Sequence, residues 1–316
     1  MGGYSAEREI SLLSGWHVCE HLDPERFDVY PVDIDRNSWS VLIDGQRIEI
    51  DRNDFSFVKD AERMQFDVAF NAIHGTPGED GILAAYFELV QLKQTASEHY
   101  PSALSFNKRD LLLIALKLGI PSAKSVAVNA AEPIELSKLL NTLSLPVFVK
   151  ANRSGSSFGI EKIHTADELL PAIQRVSEID REVLIEEALI GPEITVGVIQ
   201  LDREFVALPV TLIETENTFF DYEAKYLGAS REITPAPLPE NQLAQAKAWA
   251  IKLHKHLGLK GVSRSEFILV DGVPHLLEVN TTPGLTKQSI IPQQLKAAGI
   301  GLASFFEALI EQALTD

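Results

Sequence analysis

Glu278-Val279-Asn280-Thr281-Thr282-Pro283-Gly284 follows an apolar run at residues 273–277. The run reads as a strand, and a strand sends successive side chains to opposite faces. Glu278 and Asn280 therefore share a face. They offer a carboxylate and a carboxamide oxygen side by side, which suits a hard cation such as Mg²⁺. Glu266 lies fourteen residues before Asn280, in Val262-Ser263-Arg264-Ser265-Glu266-Phe267. A hairpin turn at Asp271-Gly272 brings the two segments together. Three oxygen ligands and one arginine then converge, as handling phosphoryl groups and developing negative charge requires. In isolation the pattern also fits an amphipathic hairpin with solvated acids; the rest of the chain weighs against that.

The chain has 316 residues, too many for one ordinary core, and points to two or three domains. With 45% hydrophobic and 23% charged residues it has the composition of a globular enzyme. No apolar run approaches the ~20 residues that span a bilayer. A single cysteine, Cys19, fits a reducing compartment and reads as a small buried apolar residue. A net charge of −17 repels nucleic acid and anionic membrane, so neither is an expected partner. A nucleotide is still admissible, because screening confines the effect of distant charges to about 8 Å and a local lysine cluster can dominate a cleft.

Helix-like and strand-like segments alternate throughout, the pattern of α/β and α+β layers. Strands are expected at residues 27–34, 66–73, 124–128, 146–150, 183–189, 193–200 and 205–213, and a hairpin at 41–50 turning at Asp44-Gly45. Helices are expected at 80–92, 102–118 and 241–257. The Gly2-Gly3 turn has no strand before it, although such a turn normally follows a buried parallel strand. Ser5 is the expected N-cap of the next helix, with Ile10, Leu13 and Trp16 on its apolar face. The expectation is that the natural chain begins upstream of Met1 with an apolar strand of about five or six residues.

Ser154-Gly155-Ser156-Ser157-Phe158-Gly159 lies between two strand candidates. Its glycines allow backbone N–H groups to approach an anion, and Ser156 and Ser157 add hydroxyl donors. Lys150 ends the preceding strand and can reach the same anion. The loop lacks the Gly-Lys-Ser/Thr of a Walker A motif, and a strand rather than a helix follows it. Lys108, near a helix start, and Lys225, in an aromatic loop, are further phosphate cations. The segment Glu186-Glu187-Ala188-Leu189 can offer groups to adenine, and Glu193 can accept from ribose hydroxyls. Each of these also fits an ordinary turn, a solvated lysine or a strand-end acid.

In order along the chain, these motifs resemble the D-alanine–D-alanine ligase family of the ATP-grasp superfamily. The resemblance rests on Gly2-Gly3-Tyr4-Ser5-Ala6-Glu7-Arg8-Glu9, on His74-Gly75-Thr76-Pro77-Gly78-Glu79-Asp80-Gly81, and on Lys150 with the Gly155 to Gly159 loop. It continues through Phe220-Asp221-Tyr222-Glu223-Ala224-Lys225-Tyr226, Arg264, the Glu278 to Gly284 stretch and Ser289. It covers nearly the whole chain.

The resemblance implies a three-domain ATP-grasp fold: an open α/β (pre-ATP-grasp) domain at 1–96, a central domain at 97–185 and a C-terminal domain at 186–316 carrying the metal and catalytic site. It implies ATP-dependent joining of two D-alanines through an acyl phosphate, for peptidoglycan synthesis, by a cytoplasmic bacterial homodimer. It implies two Mg²⁺ (or Mn²⁺) ions held by Glu266, Glu278 and Asn280. Lys108, Lys150 and Lys225 correspond to phosphate-binding lysines, with Ser157 in the same loop. Glu186, Glu187, Leu189 and Glu193 correspond to the adenosine pocket. Glu7 corresponds to the acid on the first ammonium, and His74 to a histidine nearby. Arg264 and the Gly284 N–H correspond to oxyanion stabilisers, Ser156 and Tyr226 to a pair shaping the second amino-acid site, and Ser289 to a contact near the substrate carboxylate. Residues 215–231 are expected to close over ATP as a lid.

Three features depart from the family pattern. Glu266 stands where aspartate is usual, residues 93–101 lack the usual glycine-containing turn, and the first strand is missing before Gly2. Related activities are ligation of D-serine or D-lactate as second substrate, Tyr226 arguing against lactate. A nucleotide-binding protein without catalysis is disfavoured by the intact carboxylates and Arg264.

Overall fold

The long hairpin forms as its sequence demands. Val262–Val270 and Val273–Asn280 pair antiparallel across Asp271 and Gly272, both at positive φ (50° and 80°), the signature of a type I′ turn. The computed structural model describes residues 1–155, 158–201, 204–215 and 230–315. The hairpin ends a larger antiparallel sheet in the order Ser230–Ile233, Thr211–Thr215, Glu193–Leu201, Val262–Val270, Val273–Asn280, with Glu204–Ala207 also paired to Glu193–Leu201. The inner face of this sheet buries Val196, Val198, Phe267, Leu276 and Val279 against Leu253 of helix Glu240–Leu257 and Leu111 and Ala115 of helix Lys108–Lys117.

One irregularity decides which residues face inward. Glu266 pairs with Glu278 and Phe267 with Leu276, so Leu277 is an extra residue on its strand. This β-bulge shifts the two-residue alternation by one. Leu276 and Val279 both reach the core although three positions apart, and Glu278 and Asn280 fall on the other face, with Arg264 and Glu266 across from them.

A second antiparallel sheet runs in the order Ile160–Ile163, Val147–Ala151, Glu182–Glu187, Ser125–Asn129. Helix Ala166–Ser177 covers it, burying Leu169, Ile173 and Val176 on Val149, Val183 and Ile185. The N-terminal portion has a meander, Val32–Ile34, Trp39–Ile43 and Gln46–Glu49, and a short parallel pair, Val68–Ala69 with Lys93–Gln94. Its core is largely aromatic: the rings of Phe55 and Phe87 lie 5.1 Å apart and those of Tyr30 and Phe57 5.2 Å. Among the described residues no single helix is long and apolar enough to cross a membrane.

Several expectations are corrected. The strands expected at 27–34 and 66–73 shrink to Val32–Ile34 and Val68–Ala69. The rest of these runs, including Phe27, Val29 and Phe70, lines an apolar cavity of about 160 Å³, and a strand needs a paired neighbour to be one. Near it, Gly2 bridges Ile34 in parallel and the Met1 ammonium donates to the Val32 carbonyl. The helix expected at 102–118 is two helices, His99–Phe106 and Lys108–Lys117. Asn107 between them is extended, and its side chain caps the second helix by accepting from the Asp110 N–H. Helix Arg8–His21 turns a different face inward: Ser11, Ser14, Gly15 and Val18 are buried, while Leu13 and Trp16 are exposed. Ser5 is not its N-cap. Its hydroxyl accepts from the Glu7 N–H and donates to the His74 carbonyl.

His254, fully buried on helix Glu240–Leu257, bonds the Ser263 hydroxyl through Nδ1, and its Nε2 meets no partner among the described residues. Burial lowers its pKa from 6.5 to about 4. Below pH 6.5 the unfolded chain takes up a proton that the folded chain refuses. The stability this histidine allows is therefore complete above the unfolded value and is lost as pH falls towards 4, by up to about 3 kcal/mol. In urea titrations at pH 7 and pH 5, the midpoint should drop more for the wild type than for His254→Leu. Equal drops would remove His254 as the cause.

Candidate active site

The cleft face of the hairpin presents two facing pairs, Arg264 opposite Asn280 and Glu266 opposite Glu278. Arg264 Nη1 lies 2.5 Å from Glu266 Oε1 and donates to Thr195 Oγ1 at 3.2 Å. Asn280 Nδ2 donates to the same Glu266 oxygen at 3.2 Å. Glu278 faces Lys108, whose Nζ is 3.3 Å from its carboxylate and donates to the Ser154 carbonyl at 2.6 Å. Lys108 is placed by its helix start. The Lys108 N–H donates to the Asn152 carbonyl, and Asn152 Nδ2 donates to Asn107 Oδ1. The cap of one helix is thereby tied to the end of strand Val147–Ala151, and Lys108 and the Ser154 loop are delivered together.

Lys150 and Glu186 form a buried ion pair from neighbouring strands at 2.5 Å. Burial alone would lower the lysine's pKa, but Glu186, with Glu278 and Glu193 beyond it, outweighs burial and holds it above the usual value. Glu7 reaches the cleft from the N-terminal portion. A Cβ on Gly155 would stand 2.6 Å from Glu7 Oε2, so glycine is what permits this approach. The space beside it, about 520 Å³, is lined by Ser5, Glu7, Thr76, Phe106, Arg153 and Phe158.

The turn after Asn280 is fastened from outside. Glu79 Oε1 accepts from the N–H groups of Thr281 and Thr282 at 3.2 and 3.5 Å, and Oε2 from that of Gly75 at 3.1 Å. Burial, reinforced by the charge of Glu7, raises the Glu79 carboxyl to about 7. The Leu285 N–H donates to Ser14 Oγ and the Thr286 N–H to Ser289 Oγ. Among the described residues, Gly284 is then the one position from 281 to 286 whose N–H meets no acceptor, Pro283 having none to donate. Ser289 stands at the N-cap position of helix Ile290–Ala297 with its hydroxyl turned to Thr286, and its Oγ would lie 2.7 Å from a Cβ at Gly284.

Two family descriptions match almost the whole chain: D-ala D-ala ligase N-terminus over residues 1–97 and D-ala D-ala ligase C-terminus over 114–311. The chain belongs to the D-alanine–D-alanine ligase family. A curated D-alanine–D-alanine ligase of Christiangramia forsetii is 45% identical over 315 residues, covering 99% of this chain and 97% of that one. Among solved structures, D-alanyl-alanine synthetase A of Vibrio cholerae superposes with a TM-score of 0.90 at 29% identity, covering 100% of this chain and 97% of that one. The VanG D-Ala:D-Ser ligase of Enterococcus faecalis gives 0.88 at 30% identity, covering 99% and 97%.

Of the ligase-family positions read from sequence, the structure brings Lys108, Arg264, Glu266, Glu278 and Asn280 into one cluster, with the Lys150–Glu186 pair within electrostatic reach of Glu278; Glu7 meets the loop at Gly155, and Gly284 stands beside Ser289. Glu193, on the adjoining strand, acts on the same lysine. Glu187 differs: its carboxylate accepts from the Ser144 N–H, because alternation sends it to the face opposite Glu186. Leu189 lies just past that strand, half-buried. Ser156, Ser157, Lys225, Tyr226 and most of the expected lid lie outside the described residues. Sequence reading missed the supporting contacts of Ser14, Glu79 and Thr195. Ser11 and Ser14, three apart on one helix face, were the available signal for the first.

The Lys150–Glu186 pair carries a stability prediction. Lys150→Met strands a buried carboxylate and should cost about 3 kcal/mol or more, whereas adding Glu186→Leu should recover most of that loss. Chemical denaturation of the two variants checks this; a double variant no more stable than the single one would contradict it.

Proposed function

We infer that this chain joins two D-alanines to D-alanyl-D-alanine with consumption of ATP, as its family membership indicates. The observation that best supports the chemistry is the facing pair Glu266 and Glu278, with Asn280, Arg264 and Lys108 around it. Two carboxylates directly opposite on a sheet repel each other, and such a pair fits a shared cation. No group of three His, Cys, Asp or Glu side chains placed to hold a metal ion occurs among the described residues. The set of two carboxylates and an amide oxygen fits Mg²⁺, which keeps waters and phosphate oxygens in its other positions. We propose that Glu266, Glu278 and Asn280 hold two Mg²⁺ or Mn²⁺ ions, which neutralise phosphate charge when bound.

The remaining residues have roles consistent with an acyl-phosphate route. Lys108 and Lys150 bind phosphate oxygens, with Lys225 and Ser157 assigned to the same group by resemblance. Glu186, Glu187, Leu189 and Glu193 take the adenosine; since the Glu187 carboxylate points outward, its contribution would come from backbone. Glu7 holds the ammonium of the first D-alanine. The carboxylate of that D-alanine accepts the γ-phosphoryl group as ADP leaves, and the amine of the second D-alanine attacks the acyl carbon, loses a proton and expels inorganic phosphate. The oxyanion that develops lies within reach of Arg264 and the unpartnered Gly284 N–H, each such donor contributing on the order of 3 kcal/mol. Ser289 contacts the substrate carboxylate, and Ser156 with Tyr226 shapes the second site, in favour of D-alanine.

We further propose domains at 1–96, 97–185 and 186–316, a bacterial cytoplasmic setting, and a homodimer. The single half-buried Cys19 suits a reducing compartment. The exposed Leu13 and Trp16 offer an apolar patch for a second copy. Light scattering reads the last point directly.

Phosphate release from ATP should require D-alanine, exceed that with D-serine, and be negligible with D-lactate as second substrate. Glu278→Gln should lower it by roughly a thousandfold, the several kcal/mol a metal-held phosphoryl group represents, with an unchanged circular-dichroism spectrum. Near-normal Mg²⁺-dependent turnover in this variant would refute the metal assignment.

A further inference from the structure

The turn at residues 281–285 leaves one strand of the C-terminal sheet, yet side chains of the N-terminal portion hold its backbone. Glu79 takes two of its N–H groups. His74 Nδ1 lies 2.7 Å from the Thr282 carbonyl, and Ser14 Oγ lies 3.1 Å from His74 Nε2 and 3.3 Å from the Leu285 nitrogen. His17 Nδ1 lies 2.6 Å from the Leu285 carbonyl.

The donors and acceptors in this chain are determined. A carbonyl can only accept, so His74 Nδ1 carries a hydrogen and donates to Thr282. An amide N–H can only donate, so Ser14 Oγ accepts from Leu285. A neutral imidazole carries one hydrogen only, so with Nδ1 donating Nε2 is bare and the Ser14 hydroxyl hydrogen is directed to it. Burial lowers the pKa of His74 against the pull of Glu7, in keeping with a neutral ring. One imidazole and one hydroxyl therefore bracket Gly284, gripping the backbone two residues before it and one residue after it. Glu79 fixes the entry to the turn. The partners of its neighbours are all accounted for, and the Gly284 N–H is left over.

We propose that Ser14, His74 and Glu79 are positioning residues, which orient the Gly284 N–H towards the oxyanion of the ligation step. In this scheme they act on the oxyanion through the turn. A donor aimed at developing charge acts in the transition state, so its misalignment lowers kcat rather than weakening ground-state binding. The proposal rests on the ligase reading above, and wild-type activity separates the two. If the wild type shows no D-alanine-dependent phosphate release, the function reading fails; if it does, the variants judge the positioning role.

Ser14→Ala and Glu79→Gln should each lower kcat per titrated active site by roughly tenfold, less than deleting an oxyanion donor outright. The KM for ATP and the affinity for ADP should stay within about twofold. Affinity for a phosphinate mimic of the tetrahedral species should fall by the same factor as kcat, as expected if the lost interaction belongs to the transition state. A merely structural role would lower Tm and the fraction of active sites while leaving kcat per site and mimic affinity unchanged, which would overturn the proposal. Nitrogen-15 NMR of wild-type His74 gives a test independent of whether the variants fold. The expected spectrum has hydrogen on Nδ1 and a bare Nε2 at pH 7; hydrogen on Nε2 would break the chain and overturn the proposal.

Discussion

Two negative charges facing each other across the hairpin are the constraint around which the cleft is arranged. At an effective dielectric of 20, carboxylates about 5 Å apart repel by roughly 3 kcal/mol, and burial makes them harder to solvate. Each is therefore matched by its own cation: Glu266 by Arg264 on the same strand, and Glu278 by Lys108 from a helix start. Lys108 in turn needs its helix to begin where it does, which Asn107 and Asn152 arrange. A protein with net charge −17 thus still sets Lys108 and Arg264 against the two facing carboxylates. Local geometry there outweighs a global field that screening shortens.

The N-terminal portion sends Glu7 to the loop at Gly155, and it also determines the shape of the backbone beside the charge cluster. Its contribution consists mainly of side chains bonding main-chain groups of the turn that follows Asn280. Such bonds are directional and hold a loop without covering it. The small face of helix Arg8–His21 is what allows them. Ser11, Ser14 and Gly15 let the helix approach until a hydroxyl can touch both His74 and the Leu285 amide, a distance that larger side chains would not permit.

Much of the cleft was legible in the sequence because strand alternation and hairpin turns are local rules. Glu278, Asn280, Glu266 and Arg264 follow from those rules and from the Asp271-Gly272 turn. Legibility ended where a local rule met tertiary context. The helix expected at 102–118 is interrupted because Asn107 takes up capping, a choice fixed by its contact with Asn152. Leu13 and Trp16 were read as the inward face of the first helix, yet its environment selects the small residues. Residues 27–31 have strand composition but lack the paired neighbour that would make them one. The roles of Ser14 and Glu79 depend on contacts more than 200 residues away in sequence, which no periodicity reports.

The extra residue at Leu277 separates two kinds of selection on a single strand. Before it, positions such as Pro274 and Leu276 answer to packing; after it, Glu278 and Asn280 answer to chemistry. Without the bulge both sets would occupy one face, and any change that improved the core would compete with Glu278 and Asn280 for the same side of the sheet. With it, the strand can exchange one apolar residue for another in its first half and leave the second untouched. The corresponding vulnerability is to register: if the same residues paired with regular alternation, the carboxylate would turn into the core and a valine into the cleft, although the sequence of the segment would be unchanged.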